Sequence, residues 1–412
     1  MNILFLTMSR ISDIKVGGIY GSLMREFIRH GHEVYIVSPT ERRFSEGTHI
    51  KVFDHCKILR VKTLNLQKTN VVEKGVGQLL LERQFMKALK RHWHDVQFDL
   101  VLYSTPPITF NKVITYVKNR YQAKSYLLLK DIFPQNAVDL GMFSEKSFFY
   151  KMFRKKEERL YELSDFIGCM SPANVQYVID HNPTVDPKKV EVAPNSVELN
   201  DNVNENDNRK TVREKYGLPT DVPILIYGGN LGKPQGIDFL IRCLEQNKHR
   251  RDCHYVVIGN GTEYGKLEGW YNENEKHNDN ENENFNVTVM QRLPKEDYDV
   301  LVQSCDVGLI FLDHRFTIPN YPSRLLSYLE YKMPVICCTD PNTDIGRIAE
   351  ENGYGYWCES VRPDAFTNLV NKILSEPERI REMGERGYQF LKDNYTVDKC
   401  YDIIMKHFHV DE

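Results

Sequence analysis

Residues 223–244 read PILIYGGNLGKPQGIDFLIRCL. The apolar run at 223–227 suits a strand buried on both faces, and DFLIRCL has helical spacing. Between them stand Gly228, Gly229, Gly232 and Gly236. Strand, glycine turn and helix in that order are the unit of an open α/β sheet. The glycines let the backbone turn tightly and come close to a ligand. The helix that follows aims free N–H groups at the loop, which favours a phosphate. Lys233 adds a mobile cation. The spacing is neither the Walker A pattern nor the dinucleotide G-x-G-x-x-G. A phosphate-holding loop and a glycine-rich turn without a ligand both fit.

The same alternation extends in both directions. Before this stretch, short apolar runs fall at 3–6, 34–37, 100–103, 126–129, 166–170 and 190–193. After it they fall at 255–258, 287–290, 307–311 and 334–338. Longer segments with helical spacing lie between. A chain of 412 residues fits two or three domains. The polar stretch NDNVNENDNRK at 200–210, with Val203 its one apolar residue, cannot form a core and reads as a linker. The expected organisation is an N-terminal α/β domain over 1–199 and a linker over 200–213. A second α/β domain follows over 214–395, and a C-terminal helix over 396–412 can cross back to the first. NENEKHNDNENEN at 272–284 reads as a solvated insertion. Ligands of parallel sheets sit outside the carboxyl ends of the strands. If both sheets turn those ends to a central cleft, both domains touch one ligand.

Lys and Arg number 54 against 57 Asp and Glu, a net charge of −3, which gives no support to a nucleic-acid binder. Residues 1–200 hold 29 cations and 21 acids, whereas residues 201–412 hold 25 and 36. The two halves are therefore expected to face different things, although surface charge also drifts freely between domains. Nine cysteines, an odd number without a C-x-x-C pair, argue against a disulfide framework or a zinc ribbon. No run of about 18 apolar residues is present, and MNILFLTMSR makes a poor signal peptide. A cytoplasmic protein with at most peripheral membrane contact is the expectation.

Several further constellations can carry chemistry. In YPSRLLSYLE at 321–330, Ser323 opens a helix and Arg324 sits in its first turn. A cation there opposes the helix dipole, so a bound anion explains it better than a routine cap does. Gly17 and Gly18 follow the first strand and permit close approach of a diphosphate or a sugar, or form a plain loop. Asp131, in LLLKDIFPQNAVDLG, follows a strand end as a candidate base or orienting group, or as a solvated acid. Asn195 in VAPNS and Glu263 after IGNGTE are further candidates. Asp297-Tyr298-Asp299 forms a D-x-D within an ordinary helical pattern, so no metal is predicted there. Leu81, Phe85, Leu89 and Trp93 form an apolar stripe beside a basic face, and SFFYKMFRKK at 147–156 mixes aromatics with cations. Each fits either anionic lipid or packing on the sheet.

Taken together, these motifs resemble the GT-B glycosyltransferases, specifically family 4, along nearly the whole chain. The resemblance rests on ILFLT, the Gly17-Gly18 loop, STPP at 104–107, KDIFPQNAVDLG, SP at 171–172, VAPNS, GGNLGKPQG, IGNGTE and YPSRLLSYLEYKMPVI. The combination is similar to the branch that builds bacterial capsules and O-antigens, including L-fucosamine-type transferases. It implies a nucleotide-sugar donor, usually UDP-linked, on the C-terminal domain. It also implies an acceptor, often a polyprenyl-diphosphate-linked glycan, on the N-terminal domain at the inner membrane face. Gly18 would approach the donor diphosphate, and Lys233 and Arg324 would neutralise the leaving group in place of a metal or cofactor. Gly232, Ser323 and Leu325 lie in the motifs that implication covers. Glu263, Gln291 and Arg292 lie in loops where the base or ribose usually binds. The chain departs from the family in four places. Asn230 and Gln235 stand where many members have Arg and Lys, and Pro319 and Ser327 stand where many have glutamates. Glu330 is out of register to replace the second of these. A nucleotide-sugar 2-epimerase, or a non-catalytic sugar-nucleotide-binding protein, are the competing readings.

Overall fold

The structure, a computed structural model, describes residues 1–16, 18–66, 71–199, 208–277 and 285–408. The chain divides into two compact units. The first is Met1–Glu198 with Tyr395–Glu412, and the second is Leu199–Asn394.

The first unit is built on an eight-stranded sheet. Its strands are β1 (Asn2–Leu6), β2 (Glu33–Glu41), β3 (His49–Phe53), β4 (Cys56–Thr63), β5 (Leu100–Ser104), β6 (Lys124–Leu129), β7 (Phe166–Cys169) and β8 (Val190–Val192). They lie in the order β3-β4-β2-β1-β5-β6-β7-β8. Every pairing is parallel except β3 with β4. Ile3, Leu4, Phe5 and Leu6 are all fully buried because helices cover both faces of the sheet. The final helix, Val397–Met405, packs on the helix Ile19–Arg29. There the ring of Tyr401 stacks on His30 at 3.9 Å, and its hydroxyl meets Nε2 of His32 at 2.8 Å.

The stripe Leu81, Phe85, Leu89 and Trp93 is core. All four side chains are buried, three in the helix Val71–His92 and Trp93 just past its end, with Phe85 stacked on Phe110 at 5.3 Å. The lipid alternative for the stripe itself is therefore corrected: that apolar face is already occupied by the sheet and its neighbours, and Arg83, Lys87, Lys90 and Arg91 face solvent. The second segment differs. Phe148 and Phe149 open the helix Phe148–Leu163 and are 75% and 61% exposed, next to Met142 at 62%.

The second unit carries a six-stranded, all-parallel sheet of β9 (Ile224–Asn230), β10 (His254–Asn260), β11 (Val287–Gln291), β12 (Val307–Phe311), β13 (Val335–Thr339) and β14 (Gly355–Glu359). The order is β11-β10-β9-β12-β13-β14. One boundary moves relative to the sequence expectation. The last residues assigned to the linker belong to a helix, Arg209–Lys215, whose Arg213 is buried. Its Nη2 donates to Oδ2 of Asp306 at 2.6 Å, and the same oxygen accepts from the amide of Ile224 at 2.7 Å. An ion pair between buried Arg213 and half-buried Asp306 thus ties this helix to the start of the sheet, which polar composition alone does not reveal. Residues 200–207 and 278–284 of the two low-complexity stretches lie outside the described residues.

Candidate active site

In the second unit the candidate residues gather at the carboxyl ends of β9 and β10. β9 runs into Gly228, Gly229 and Asn230, and a tight turn, Lys233–Gln235, follows. Gly236, at φ +58°, then opens the helix Ile237–Asn247. At that φ a β-carbon is disfavoured, and one would also press to 3.3 Å from the carbonyl oxygen of Leu312. The amide of Asn230 donates to Oε1 of Gln235 at 2.7 Å, and the same oxygen accepts from the N–H of Gly232 at 3.2 Å. Asn230, Gly232 and Gln235 therefore lock the loop internally. Lys233 is exposed, and its ammonium has no ion pair or hydrogen bond among the described residues. Glu263 is drawn in through its amide, which donates to the carbonyl of Leu231 at 2.9 Å, and its carboxylate pairs with Lys266 at 2.7 Å.

Arg324 approaches the same place from the other side. Its guanidinium lies 4.3 Å over the ring of Tyr227. It sits so close beneath Gly229 that a β-carbon there would come within 3.3 Å of Nη2. Gly229 has φ +134°, a conformation open to glycine. Nη1 is buried without a hydrogen-bond partner among the described residues. Tyr328 donates its hydroxyl to the carbonyl of Ile226 at 3.2 Å and accepts from the N–H of Gly228 at 3.1 Å. Tyr298 packs against Gly228 so tightly that a β-carbon there would overlap its ring. Tyr227 thus carries the cation, with Nη1 unused, while Tyr298 and Tyr328 pack on Gly228 at the end of the central strand.

Other candidates stand apart from this cluster. Gln291 ends β11 opposite Gly259, and it and Arg292 are exposed toward the sheet edge. Ser323 is exposed at the start of the helix Arg324–Glu330, and Ser327 lies one turn further in. The Leu325 side chain is wholly buried, and its amide donates to the carbonyl of Pro322 at 3.2 Å. The D-x-D acids are ion-paired on a helix, Lys295–Gln303. Asp297 pairs with Lys215 at 3.3 Å and Asp299 pairs with Lys295. Between them, Tyr298 is the residue that packs against the glycine loop, at Gly228. Its signal is an aromatic at helical spacing, which is indistinguishable from core in sequence.

The first unit holds Gly18, Asp131 and Asn195. Gly18, at φ +142°, caps the helix Ile19–Arg29, and no atom stands within 4 Å of where its β-carbon would lie. Gly17 lies outside the described residues. Asp131 follows β6. Thr105, at the end of β5, accepts with its hydroxyl from the amides of Lys130 at 2.9 Å and Asp131 at 3.3 Å. Asp131 is exposed to solvent at its outer side, and desolvation by the surrounding protein raises its pKa to about 6. Tyr20 stands near both Asp131 and Ser104. Burial pushes its hydroxyl up to about 12, so it is a neutral donor at ordinary pH. Lys130 turns inward, and its Nζ donates to the carbonyl of Ala193 at 3.0 Å. Burial brings its pKa down to about 8. That bond links the Asp131 loop to VAPNS, where Oδ1 of Asn195 is buried without a hydrogen-bond partner among the described residues. Tyr20 and Lys130 escape sequence reading because their roles depend on which strands end side by side.

Among the described residues, no group of three or more His, Cys, Asp or Glu could hold a metal ion. No helix among them is long and apolar enough to cross a membrane.

Residues 20–201 match the family model described as Glycosyltransferase Family 4, and residues 208–390 match that of Glycosyl transferases group 1. WbjE of Pseudomonas aeruginosa, a probable glycosyltransferase, is 22% identical over 344 residues, 80% of this chain and 78% of that protein. Sucrose-phosphate synthase of Thermosynechococcus elongatus superposes with a TM-score of 0.74 at 15% identity, covering 99% of this chain and 98% of the other. HepE of Anabaena, solved in complex with UDP, gives 0.69 at 14% identity, covering 99% of both chains. With its two halves matched by these models and both units built on parallel α/β sheets, the chain belongs to the GT-B glycosyltransferases of the family 4 type.

Proposed function

We propose that the protein transfers a sugar from a nucleotide diphosphate, a UDP-linked N-acetylhexosamine or deoxyhexosamine, to a polyprenyl-diphosphate-linked precursor of a bacterial capsule or O-antigen. The observation that carries this reading is the Arg324 guanidinium, held on Tyr227 under Gly229 with Nη1 unpartnered. A buried N–H without an acceptor is costly, and a donor phosphate oxygen would supply one. When the bond from the anomeric carbon to the β-phosphate oxygen breaks, negative charge grows on the nucleotide. Arg324, already oriented, and the mobile Lys233 stabilise that charge without a metal. The acceptor hydroxyl bonds to the anomeric carbon and gives up its proton. Asp131, ionised above about pH 6, orients that hydroxyl or takes the proton. Glu263, Gln291 and Arg292 contact the base or ribose, and Gly18 permits close approach of the diphosphate.

Peripheral contact with inner-leaflet lipid is part of the proposal, and exposed Phe148, Phe149 and Met142 beside Lys146, Lys151 and Lys155 support it. Calorimetric titration with UDP, followed by a UDP-release assay on candidate donors with and without a lipid-linked acceptor, tests the whole reading. Stoichiometric UDP binding and acceptor-stimulated release are expected. Absence of UDP binding, or conversion of the donor to an epimer instead, would overturn it.

A further inference from the structure

The carboxyl-end face of the first unit carries a second cationic cluster, away from Asp131 and outside every motif above. Arg60, on β4, is 1% exposed, and it is among the largest fully buried side chains of the described chain. Its Nη1 donates to the carbonyl of Ile11 at 3.1 Å. Its Nε and Nη2 are buried with no hydrogen-bond partner among the described residues. The nearest acid oxygen, Oε2 of Glu46, is 3.8 Å from Nη2, too far for a hydrogen bond. That same oxygen already accepts from the hydroxyl of Thr40 at 2.8 Å. Arg10 stands 3.8 Å from the other oxygen of Glu46, its guanidinium carbon 3.8 Å over the ring of Phe44. Ser38, the register partner of Arg60 on β2, fixes the loop above by bonding to Ser9 and Ile11. A fixed, buried guanidinium thus lies beneath two movable side chains, Arg10 at 42% and Glu46 at 41% exposure.

Holding Ile11 needs one N–H, yet a guanidinium offers five in a planar fork that matches a phosphate or a carboxylate. Burying the remaining N–H groups without acceptors is unfavourable. Two cations face one acid here, so the cluster keeps room for one more negative group.

We propose that Arg60 and Arg10, beside the Phe44 ring, form an oxyanion subsite that takes a phosphate or carboxylate group carried by the acceptor. The proposal rests on the glycosyl-transfer reading and adds to it. β4 and β6 are four strand spacings apart in the sheet order, which is about 19 Å at roughly 4.8 Å per spacing. Both strands point their carboxyl ends the same way. An anion that far from the hydroxyl at Asp131 fits an oligosaccharide acceptor rather than a single sugar. Its source is either the diphosphate joining glycan to lipid or the carboxylate of an acidic sugar.

Calorimetry on the full chain separates these. The protein is first saturated with UDP, then titrated with inorganic pyrophosphate and, separately, with glucuronate. One equivalent of at least one anion is expected to bind. Pyrophosphate alone assigns the diphosphate, and glucuronate alone assigns the acidic sugar. Arg10→Ala, a change at an exposed side chain, should weaken that binding about ten-fold or more. Arg60→Gln should abolish it, and UDP binding should stay unchanged in both. The proposal falls if neither anion binds, or if both variants bind as the parent does. The initial UDP titration reports on the donor reading alone. Loss of anion affinity in Arg10→Ala supports the subsite whatever UDP does.

Discussion

Replacing Arg324 by methionine should separate catalysis from stability. In the ligand-free protein the guanidinium has a buried Nη1 with no acceptor, an arrangement that costs about 1–3 kcal/mol. Its position 4.3 Å over the Tyr227 ring returns about 0.5–2 kcal/mol. The two effects oppose each other. Methionine keeps the apolar contact with the ring and removes the unsatisfied group, so the stability of the second unit should change by no more than about 2 kcal/mol, in either direction. Turnover should respond quite differently. Losing one preorganised donor to the leaving diphosphate costs ~10²–10³-fold, about 2.7–4 kcal/mol of transition-state stabilisation. The assay pairs acceptor-dependent UDP release with urea unfolding. The chain has three tryptophans. In a Trp93→Phe background the remaining two, Trp270 and Trp357, both belong to the second unit, so their fluorescence reports on that unit. A rate within about three-fold of the parent would refute the catalytic role. Destabilisation beyond about 3 kcal/mol would instead make Arg324 a structural strut.

The other predictions address the base, the core and the buried charges. Acceptor-dependent rates should fall as the pH drops through about 6, because Asp131 takes up a proton there. Asp131→Asn should remove that limb of the profile, and an identical limb in the variant would exclude the residue. Phe85→Ala, at a wholly buried position, should destabilise the first unit by about 3–5 kcal/mol in urea unfolding. Asp306→Ala strips the carboxylate from buried Arg213 and from the Ile224 amide, and should cost the second unit about 3–5 kcal/mol. Burial raises the pKa of Glu157 to about 7 despite Arg154 and Tyr161. The folded state therefore binds this proton more tightly than the unfolded one, and the contribution to stability is lost as the pH rises from about 4.5 to 7. Glu157→Gln should flatten that part of the stability profile.

How much of this was legible depends on whether the signal was local. The two sheets were legible because a strand buried on both faces needs an unbroken apolar run, as in ILFL at 3–6 and VGLIF at 307–311. β3 and β4 escaped the same criterion. They form an antiparallel edge hairpin whose residues His49, Lys51, Lys57, Arg60 and Lys62 break the apolar run. That interruption is informative in retrospect. Lys57 and Lys62 are not buried, whereas Arg60 is, with its Nη1 on the Ile11 carbonyl and its Nε and Nη2 lacking a hydrogen-bond partner among the described residues. The glycine loop was legible because four glycines in nine residues have a backbone cause. What they make room for was not. Gly228 admits Tyr298 from a helix 70 residues on, and Gly229 admits Arg324 from nearly 100 residues on. Asn230 and Gln235 show the converse. Their amides bond to each other and to the Gly232 amide, so they shape the loop where a cation in their place would be free to reach a ligand. The positive charge available at this loop therefore comes from Lys233 and from Arg324; Arg324 rests on Tyr227 of β9, and Tyr298 and Tyr328, from two helices, hold Gly228 beside it. A site assembled in this way places its dependence on Tyr227, Tyr298 and Tyr328 as much as on the cation. Removing the Tyr328 hydroxyl should disturb donor binding without touching a charged group.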